Sequence, residues 1–312
     1  MTQARPLQDG GLTLESLAFV TIPVADVAAA RGFYSRILGL EDAGSDRLPG
    51  FEGPHAVLRT PSRQFVVLTA PEGPDTRDSG VHNAYRVSPA ARDAIAARLA
   101  AEKVEVLTYK EDRPKEDEEN FYFLDSDGNR SQLVRSASAK AANGVQAIDH
   151  TVVLSYDMLW AESFYGGDLK LPVESRVGVK TADHSRARRW AAGDEQMAPG
   201  TRRLDKLYMT MGGQNEVPRA NMQVYFSAGA SVFGVYLATK HQQEPPEERL
   251  VGTPRTAFLV ARGDLDRIAA VLQKRRRPFQ GPVEHPASAP FAASLYCKDT
   301  SGNFLEFCAA RR

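Results

Sequence analysis

The feature that most constrains this chain is a segment of about 18 residues that occurs twice, 131 positions apart. The first copy is LAFVTIPVADVAAARGFY at 17–34, and the second is IDHTVVLSYDMLWAESFY at 148–165. In each copy an apolar run typical of a strand leads through an aspartate into a helical pattern that ends in Phe-Tyr. Such a repeat indicates a duplicated structural unit.

Two further segments repeat at a larger offset. The strand patterns AYRV at 84–87 and AFLV at 257–260 lie 173 positions apart, and the turns DSDGN at 125–129 and DTSGN at 299–303 lie 174 apart. The larger offset predicts an insertion in the third unit, at about 173–221. We therefore predict an α+β fold of four βαβββ units, in which each unit joins one helix to four short strands.

The Pro-, Gly- and Ser-rich stretches divide these units into two predicted domains. Residues 1–14 are predicted to form a flexible arm, and 15–135 a first domain of two units. The small and polar segment SASAKAANGVQ at 136–146 is predicted to be a linker. Residues 147–312 then form a second domain of two units, which contains the insertion.

Composition excludes several classes of function. The chain has 39 basic and 39 acidic residues, so no net positive field is available to attract nucleic acid. No apolar run approaches the roughly 20 residues that span a bilayer, and MTQARPLQDGG lacks the apolar core of a signal peptide. We expect a cytoplasmic protein whose two cysteines, Cys297 and Cys308, are reduced.

Together these motifs resemble the vicinal oxygen chelate superfamily, which includes glyoxalases, extradiol ring-cleaving dioxygenases and the fosfomycin- and bleomycin-resistance proteins. The resemblance spans about 15–310. It is carried by D-x(6)-F-Y in units one and three, by HNAY and RTAF at the starts of units two and four, and by D-x-x-G-N-x-x-E/Q at their ends. It implies two half-barrel domains in tandem.

The resemblance also implies a divalent metal, held by a histidine on the first strand of a unit and a carboxylate on the last strand. The corresponding first-strand positions hold Phe19, His82, His150 and Arg255, and the last-strand positions of units two and four hold Gln132 and Glu306. We predict His150, Glu306 and His82 as metal ligands. Fe(II) or Mn(II) is the expected ion, and a protein without metal is the alternative.

The way in which the units pair stays open at this point. If consecutive units pair, His150 and Glu306 share a site, and Arg255 stands where a second histidine is expected. If units two and three pair, His82, His150 and Gln132 converge instead. Phe19, Arg255 and Glu306 would then form a second site without metal.

Three further residues receive roles from the same resemblance. Tyr296 precedes Glu306 by ten residues, as a tyrosine does in the extradiol dioxygenases, and it is predicted with His285 to act as a catalytic acid or base. Arg255 is predicted to bind an anionic group of the substrate.

The leading hypothesis is a metal-dependent, extradiol-type dioxygenase that acts on a small aromatic substrate. The alternatives are a metal-free small-molecule binding or resistance protein of the bleomycin-resistance type, and a glyoxalase-like lyase or isomerase. The expected partner is a small molecule, with a homodimer as the expected assembly.

Overall fold

The computed structural model of the protein describes residues 12, 14–44, 48–71, 80–107, 120–155, 157–177, 223–238 and 245–311. Nearly all of the predicted arm lies outside these residues. So does most of the predicted insertion, of which residues 173–177 are described and form a strand.

The described residues form sixteen strands. In the first half these are β1 (Leu14–Pro23), β2 (Glu41–Asp42), β3 (His55–Arg59), β4 (Phe65–Thr69), β5 (His82–Val87), β6 (Val106–Leu107), β7 (Asn120–Leu124) and β8 (Arg130–Arg135). In the second half they are β9 (Ala147–Ser155), β10 (Val173–Val177), β11 (Gln223–Ala228), β12 (Ser231–Leu237), β13 (Arg255–Val260), β14 (Phe279–Glu284), β15 (Phe291–Lys298) and β16 (Phe304–Ala310).

One helix follows the first strand of each unit. These helices are α1 (Val27–Leu38), α2 (Pro89–Ala101), α3 (Met158–Glu162), which continues as a π-helical turn over Ser163–Asp168, and α4 (Arg262–Lys274). No helix in the described part of the chain is long and apolar enough to cross a membrane.

The helix starts predicted from the repeat are confirmed. The carboxylate of Asp26 accepts hydrogen bonds from the N–H groups of Ala28 and Ala29, and the carboxylate of Asp157 does the same for the first turn of α3. The helix α1 ends at Gly39, which has a φ of 69° and so adopts the left-handed conformation that favours glycine. The two copies of the repeat therefore form the same strand–cap–helix structure.

The strands form two eight-stranded sheets. Sheet 1 has the order β14-β15-β16-β13-β1-β4-β3-β2, and sheet 2 has the order β10-β11-β12-β9-β5-β8-β7-β6. Sheet 1 thus combines units one and four, and sheet 2 combines units two and three. In each sheet the two units meet through their first strands, which run antiparallel: β1 with β13, and β5 with β9.

This topology decides the pairing that the sequence left open. The predicted linker at 136–146 does not separate the two sheets, because each sheet contains one unit from either side of the linker. The fold is α+β, as predicted, with four βαβββ units in two half-barrels. The boundaries proposed for separate domains stay a prediction.

Consecutive units are tied together across the two sheets by the motifs that the repeat preserves. The hydroxyl of Tyr34 in α1 donates to Asp125 in unit two at 2.9 Å. In the second half, Tyr165 donates in the same way to Asp299 at 2.8 Å. All four side chains are buried. The recurrence of Phe-Tyr and D-x-x-G-N therefore has a structural cause, since each tyrosine satisfies a buried carboxylate of the next unit.

The main hydrophobic core contains the helices and one face of each sheet. On the opposite face of each sheet lies a smaller apolar cluster. In sheet 1 it includes Phe19, Val67 and Ala257, and in sheet 2 it includes Val152 and Tyr236. We call these two surfaces the site faces, because the predicted site residues lie on them. Cys297 and Cys308 are both free and buried.

Candidate metal centre on sheet 2

Two histidines meet at the centre of the site face of sheet 2. His82 begins β5 and His150 lies on β9, and these strands are antiparallel neighbours in which His150 pairs with Ala84. The Nε2 atoms of the two rings are 3.0 Å apart, and the rings are nearly perpendicular at 84°. The pairing of units two and three is what brings these two residues together.

The other nitrogen of each ring is already bound to an acceptor. His82 Nδ1 is 2.7 Å from the carbonyl oxygen of Gly80, which can only accept a hydrogen bond. His150 Nδ1 is 2.9 Å from Oδ2 of Asp149. Burial raises the pKa of Asp149, but its contacts with His150 and Arg86 outweigh burial and hold the pKa below its usual value. Both rings therefore donate from Nδ1.

This arrangement leaves the two Nε2 atoms facing each other. Burial, with the nearby His150 as the next cause, lowers the pKa of His82 to about 3, so His82 Nε2 is unprotonated at neutral pH. Two facing lone pairs at 3.0 Å repel unless a cation lies between them. The site is therefore built to receive either a proton or a metal ion.

The geometry fits a metal ion. Two nitrogens bound at about 2.1 Å and at roughly a right angle lie about 3.0 Å apart, which is the distance between these Nε2 atoms. A hydrogen bond from Nδ1 to a carboxylate or carbonyl is the usual support of a metal-binding histidine, and here Asp149 and Gly80 supply it.

The third donor on this face is an amide. Gln132 on β8 lies opposite Ala84, and its side chain lies close to His82. Its carbonyl oxygen is of the type that a divalent ion accepts. Among the described residues no group of three or more His, Cys, Asp or Glu side chains is arranged to hold a metal, so a site here would consist of two imidazoles and one amide.

Glu306 does not reach this pair, because it lies on the site face of sheet 1. There Arg255 Nε is 3.1 Å from Glu306 Oε2, and the side chains are 0% and 2% exposed. The Arg255 guanidinium lies over Phe51 at 4.3 Å from the ring centre and donates to the carbonyl oxygen of Gly50 at 3.1 Å. Phe19 and Tyr296 lie within 5.5 Å of it. The metal position of sheet 1 is thus filled by an internal cation and its counterion.

The two residues predicted to be catalytic also lie on sheet 1. Tyr296 is the cross-strand partner of Glu306, and burial and then the Glu306 charge raise its pKa. His285 follows β14, its Nε2 is 2.8 Å from the hydroxyl of Ser294, and partial burial lowers its pKa. Of the predicted set, the structure therefore brings His82 and His150 together on one sheet, and places the other four residues on the other sheet.

Comparisons with known proteins agree with this architecture. Residues 16–133 match the family model of the Glyoxalase/Bleomycin resistance protein/Dioxygenase superfamily. The matched segment covers units one and two of the chain. No curated protein matches the sequence.

Two solved structures share the fold of this protein. One, from Bacillus subtilis subsp. subtilis strain 168, is provisionally described as a dioxygenase; it is 12% identical, with a TM-score of 0.62, over 96% of this chain and 87% of that one. The other is glyoxalase I from Zea mays, 12% identical with a TM-score of 0.55, over 94% of this chain and 92% of that one. At this identity the likeness concerns the fold alone.

Sequence reasoning missed the residues that surround the histidine pair. Asp149 directly precedes His150, and an Asp-His pair at a strand start is a signal for a supported histidine that could have been found. Tyr225 and Tyr236 lie on β11 and β12, with ring centres 6.3 Å from His150 and 6.0 Å from His82 respectively. These tyrosines are recognisable only once the register of the strands is known.

Proposed function

We propose that this protein binds one divalent metal ion between His82 and His150, with the amide oxygen of Gln132 as a third protein ligand. The observation that carries the proposal is the pair of Nε2 atoms, which face each other at 3.0 Å while both Nδ1 atoms donate elsewhere. The donors are two imidazoles and one carbonyl oxygen, a mixed set that suits Fe(II) and also accommodates Mn(II).

We further propose that the metal site acts on a small aromatic molecule with two adjacent oxygens, in an extradiol-type ring cleavage. A bound metal would act as a Lewis acid that holds the substrate oxygens. The protein contributes the fixed imidazoles, the Asp149 carboxylate that sets the His150 tautomer, and an aromatic surface formed by Tyr122, Tyr225 and Tyr236. His150 is partly exposed, at 14% of its side chain, so an incoming ligand can reach the pair.

The test is metal analysis followed by an oxygen-uptake assay. Protein purified without chelators, and protein loaded anaerobically with Fe(II) or Mn(II), is supplied with catechols under air. We expect about one ion per chain and oxygen consumption that disappears in His150→Ala. Oxygen uptake that persists in His150→Ala, or a folded protein that takes up no ion, would rule the proposal out.

A second candidate function is supported by the other sheet. Arg255 is a buried cation at a metal position, surrounded by Phe19, Phe51 and Tyr296. A metal-free binder would hold an aromatic acid against this face, with Arg255 exchanging its contact with Glu306 for one with the carboxylate of the ligand. The catalytic roles predicted for Tyr296 and His285 stay predictions, and both residues lie at sheet 1, away from the histidine pair.

Thermal-shift measurements with benzoate in the presence of a chelator distinguish the two candidates. A stabilisation that Arg255→Met removes and His150→Ala retains favours the binder. No shift with benzoate, together with metal-dependent oxygen uptake, favours the enzyme. The cytoplasmic location and the homodimer stay predictions.

A further inference from the structure

The register of the strands reveals what stands at the fourth position of the metal centre. In unit two the last-strand residue Gln132 pairs with Ala84, two positions after His82. In unit four Glu306 pairs in the same way with Ala257, two positions after Arg255. The equivalent pair in unit three is Val152 with Gly234. Unit three therefore has a glycine where units two and four carry an amide and an acid.

The ring of Tyr225 explains the glycine. Tyr225 is the cross-strand partner of Gly234 on β11. A Cβ added to Gly234 would lie 3.1 Å from Cε1 of Tyr225 and 3.0 Å from Cγ2 of Val152, which is tighter than ordinary contact. A glycine in a strand interior commonly marks such a close approach. The phenol ring of Tyr225 thus covers the position at which an acid would otherwise project.

Tyr225 and Tyr236 present their hydroxyls as a pair. The two oxygens are 2.6 Å apart, and the Tyr225 hydroxyl donates to Gln223 Oε1 at 2.8 Å. The rings lie edge-on to each other, with an interplanar angle of 81°. Tyr225 is perpendicular to His150 at 89°, and Tyr236 is inclined at 64° to His82. A ligand bound at the histidine pair must therefore lie beside this phenol wall, which we define as Tyr225 and Tyr236.

We infer that the phenol wall is the specificity determinant of the site, and that it recognises a flat phenolic ring by ring contact and by accepting a hydrogen bond from its hydroxyl. This inference rests on the proposed function. Tyr225 and Tyr236 bind the ligand, whereas His82 and His150 hold the metal. The face offers no carboxylate at the fourth position, so the wall selects by shape and neutral hydrogen bonding rather than by charge.

The experiment compares two ligands that both chelate through adjacent oxygens, of which only one has an aromatic ring: catechol and acetohydroxamate. Their dissociation constants are measured by calorimetry on protein loaded with Co(II), for the natural chain and for Tyr225→Phe, Tyr236→Phe and Tyr225→Ala. The affinity for Co(II) itself is measured in parallel. Tyr85→Phe is the matched control, because it removes a buried hydroxyl of sheet 2 that belongs to the main core.

We expect each Phe variant to weaken catechol binding about 2- to 10-fold, the loss of one neutral hydrogen bond. Tyr225→Ala, which also removes the ring, should weaken it more than about 10-fold and leave acetohydroxamate within about twofold. Co(II) affinity and the Tyr85→Phe control should stay within about twofold of the natural chain. Equal weakening of both ligands, unchanged catechol binding, or lost Co(II) affinity would overturn the inference.

The experiment still tests the phenol wall if the proposed metal centre is wrong. If the natural chain takes up no Co(II), the metal centre is wrong, and the same catechol comparison is made on the metal-free protein. Weaker catechol binding by the two Phe variants would then support recognition of catechol by the phenol wall without a metal centre. Absence of catechol binding to the natural chain would overturn the inference about the phenol wall as well.

Discussion

The site faces of the two sheets use equivalent strand positions for opposite kinds of polar group. On sheet 2, the Nε2 atoms of His82 and His150 converge at 3.0 Å. On sheet 1, the position equivalent to His82 holds Arg255, and its charge is matched by Glu306 at 3.1 Å. The first face gains from an added cation, whereas the second already contains one. A shared fold position therefore indicates a metal only where the residues present converging, uncharged donors.

The largest expected difference between the two faces concerns stability. Removing one partner of a fully buried ion pair leaves an uncompensated charge, which costs about 3–5 kcal/mol. We expect Glu306→Ala to lower the free energy of unfolding by this amount, as measured by urea denaturation in the presence of a chelator. In the same buffer His150→Ala should cost much less, because His150 is partly exposed and its removal leaves no fully buried charge without a partner.

A double variant sharpens this result. Arg255→Met combined with Glu306→Leu removes both charges and should recover most of the stability lost in Glu306→Ala. If Glu306→Ala is no less stable than His150→Ala, the description of sheet 1 as a self-neutralised face is wrong.

The affinity for Co(II) should depend on the histidines of sheet 2 and not on residues of sheet 1. We expect His82→Ala and His150→Ala each to reduce the affinity for Co(II) by more than about 100-fold, beyond the range typical for residues outside the ligand shell. His285→Ala, on sheet 1, is the matched histidine control and should bind Co(II) like the natural chain. Calorimetric titration measures all three. A loss of affinity in the control would mean that the two faces are not independent.

A smaller loss of Co(II) affinity is expected when Asp149, which supports His150, is replaced. Asp149→Asn keeps the shape of the side chain but removes the negative charge that fixes the Nδ1 proton. We expect the Co(II) affinity to fall by about 10- to 100-fold, the range typical for such partners. Unchanged affinity would show that the tautomer of His150 does not depend on Asp149.

The smallest difference between equivalent variants is expected at Asp125 and Asp299, where the two halves of the chain form the same contact with a tyrosine. Burial raises the pKa of Asp125 and of Asp299, each of which accepts a hydrogen bond from a buried tyrosine. A carboxyl group with a raised pKa in the folded state binds its proton more tightly there than in the unfolded chain. Its contribution to stability is therefore greatest at low pH and is lost as the pH rises through the raised pKa.

Asp125→Asn and Asp299→Asn should accordingly flatten the dependence of the unfolding free energy on pH above about 4, the pKa of a free aspartate. Both variants should also lose stability at every pH, because an acceptor is weakened. Urea denaturation at several pH values measures both effects. A marked difference between the two variants would contradict the equivalence of the two Tyr–Asp ties.

Much of the fold could be predicted from the sequence because it depends on local signals. Asp26 and Asp157 cap their helices as the repeat predicted, and Gly39 ends α1. The pairing of units could not be predicted, because each unit keeps its own pattern of apolar residues in either arrangement. What decides it is the contact of one first strand with another, β1 with β13 and β5 with β9. Such contacts join residues distant in sequence and leave no periodic signal.

The candidate site was predicted in part for the same reason. His82 and His150 were found by their positions in the repeat, and the open alternative that joined them with Gln132 is the arrangement in the structure. Glu306 also matched its repeat position, but its partner is set by the sheet to which it belongs. Tyr225 could not be found from the repeat alone, because its role depends on Gly234, the residue opposite it on β12.

X-ray absorption at the zinc edge tests the central claim most directly, with the natural chain loaded with one equivalent of Zn(II). We predict two imidazole nitrogens at about 2.0–2.1 Å from the ion, with the remaining ligands oxygen. The imidazole signal should fall to one ring in His82→Ala and stay at two in His285→Ala. A spectrum without imidazole ligands, or one that His82→Ala leaves unchanged, would contradict a metal centre on sheet 2.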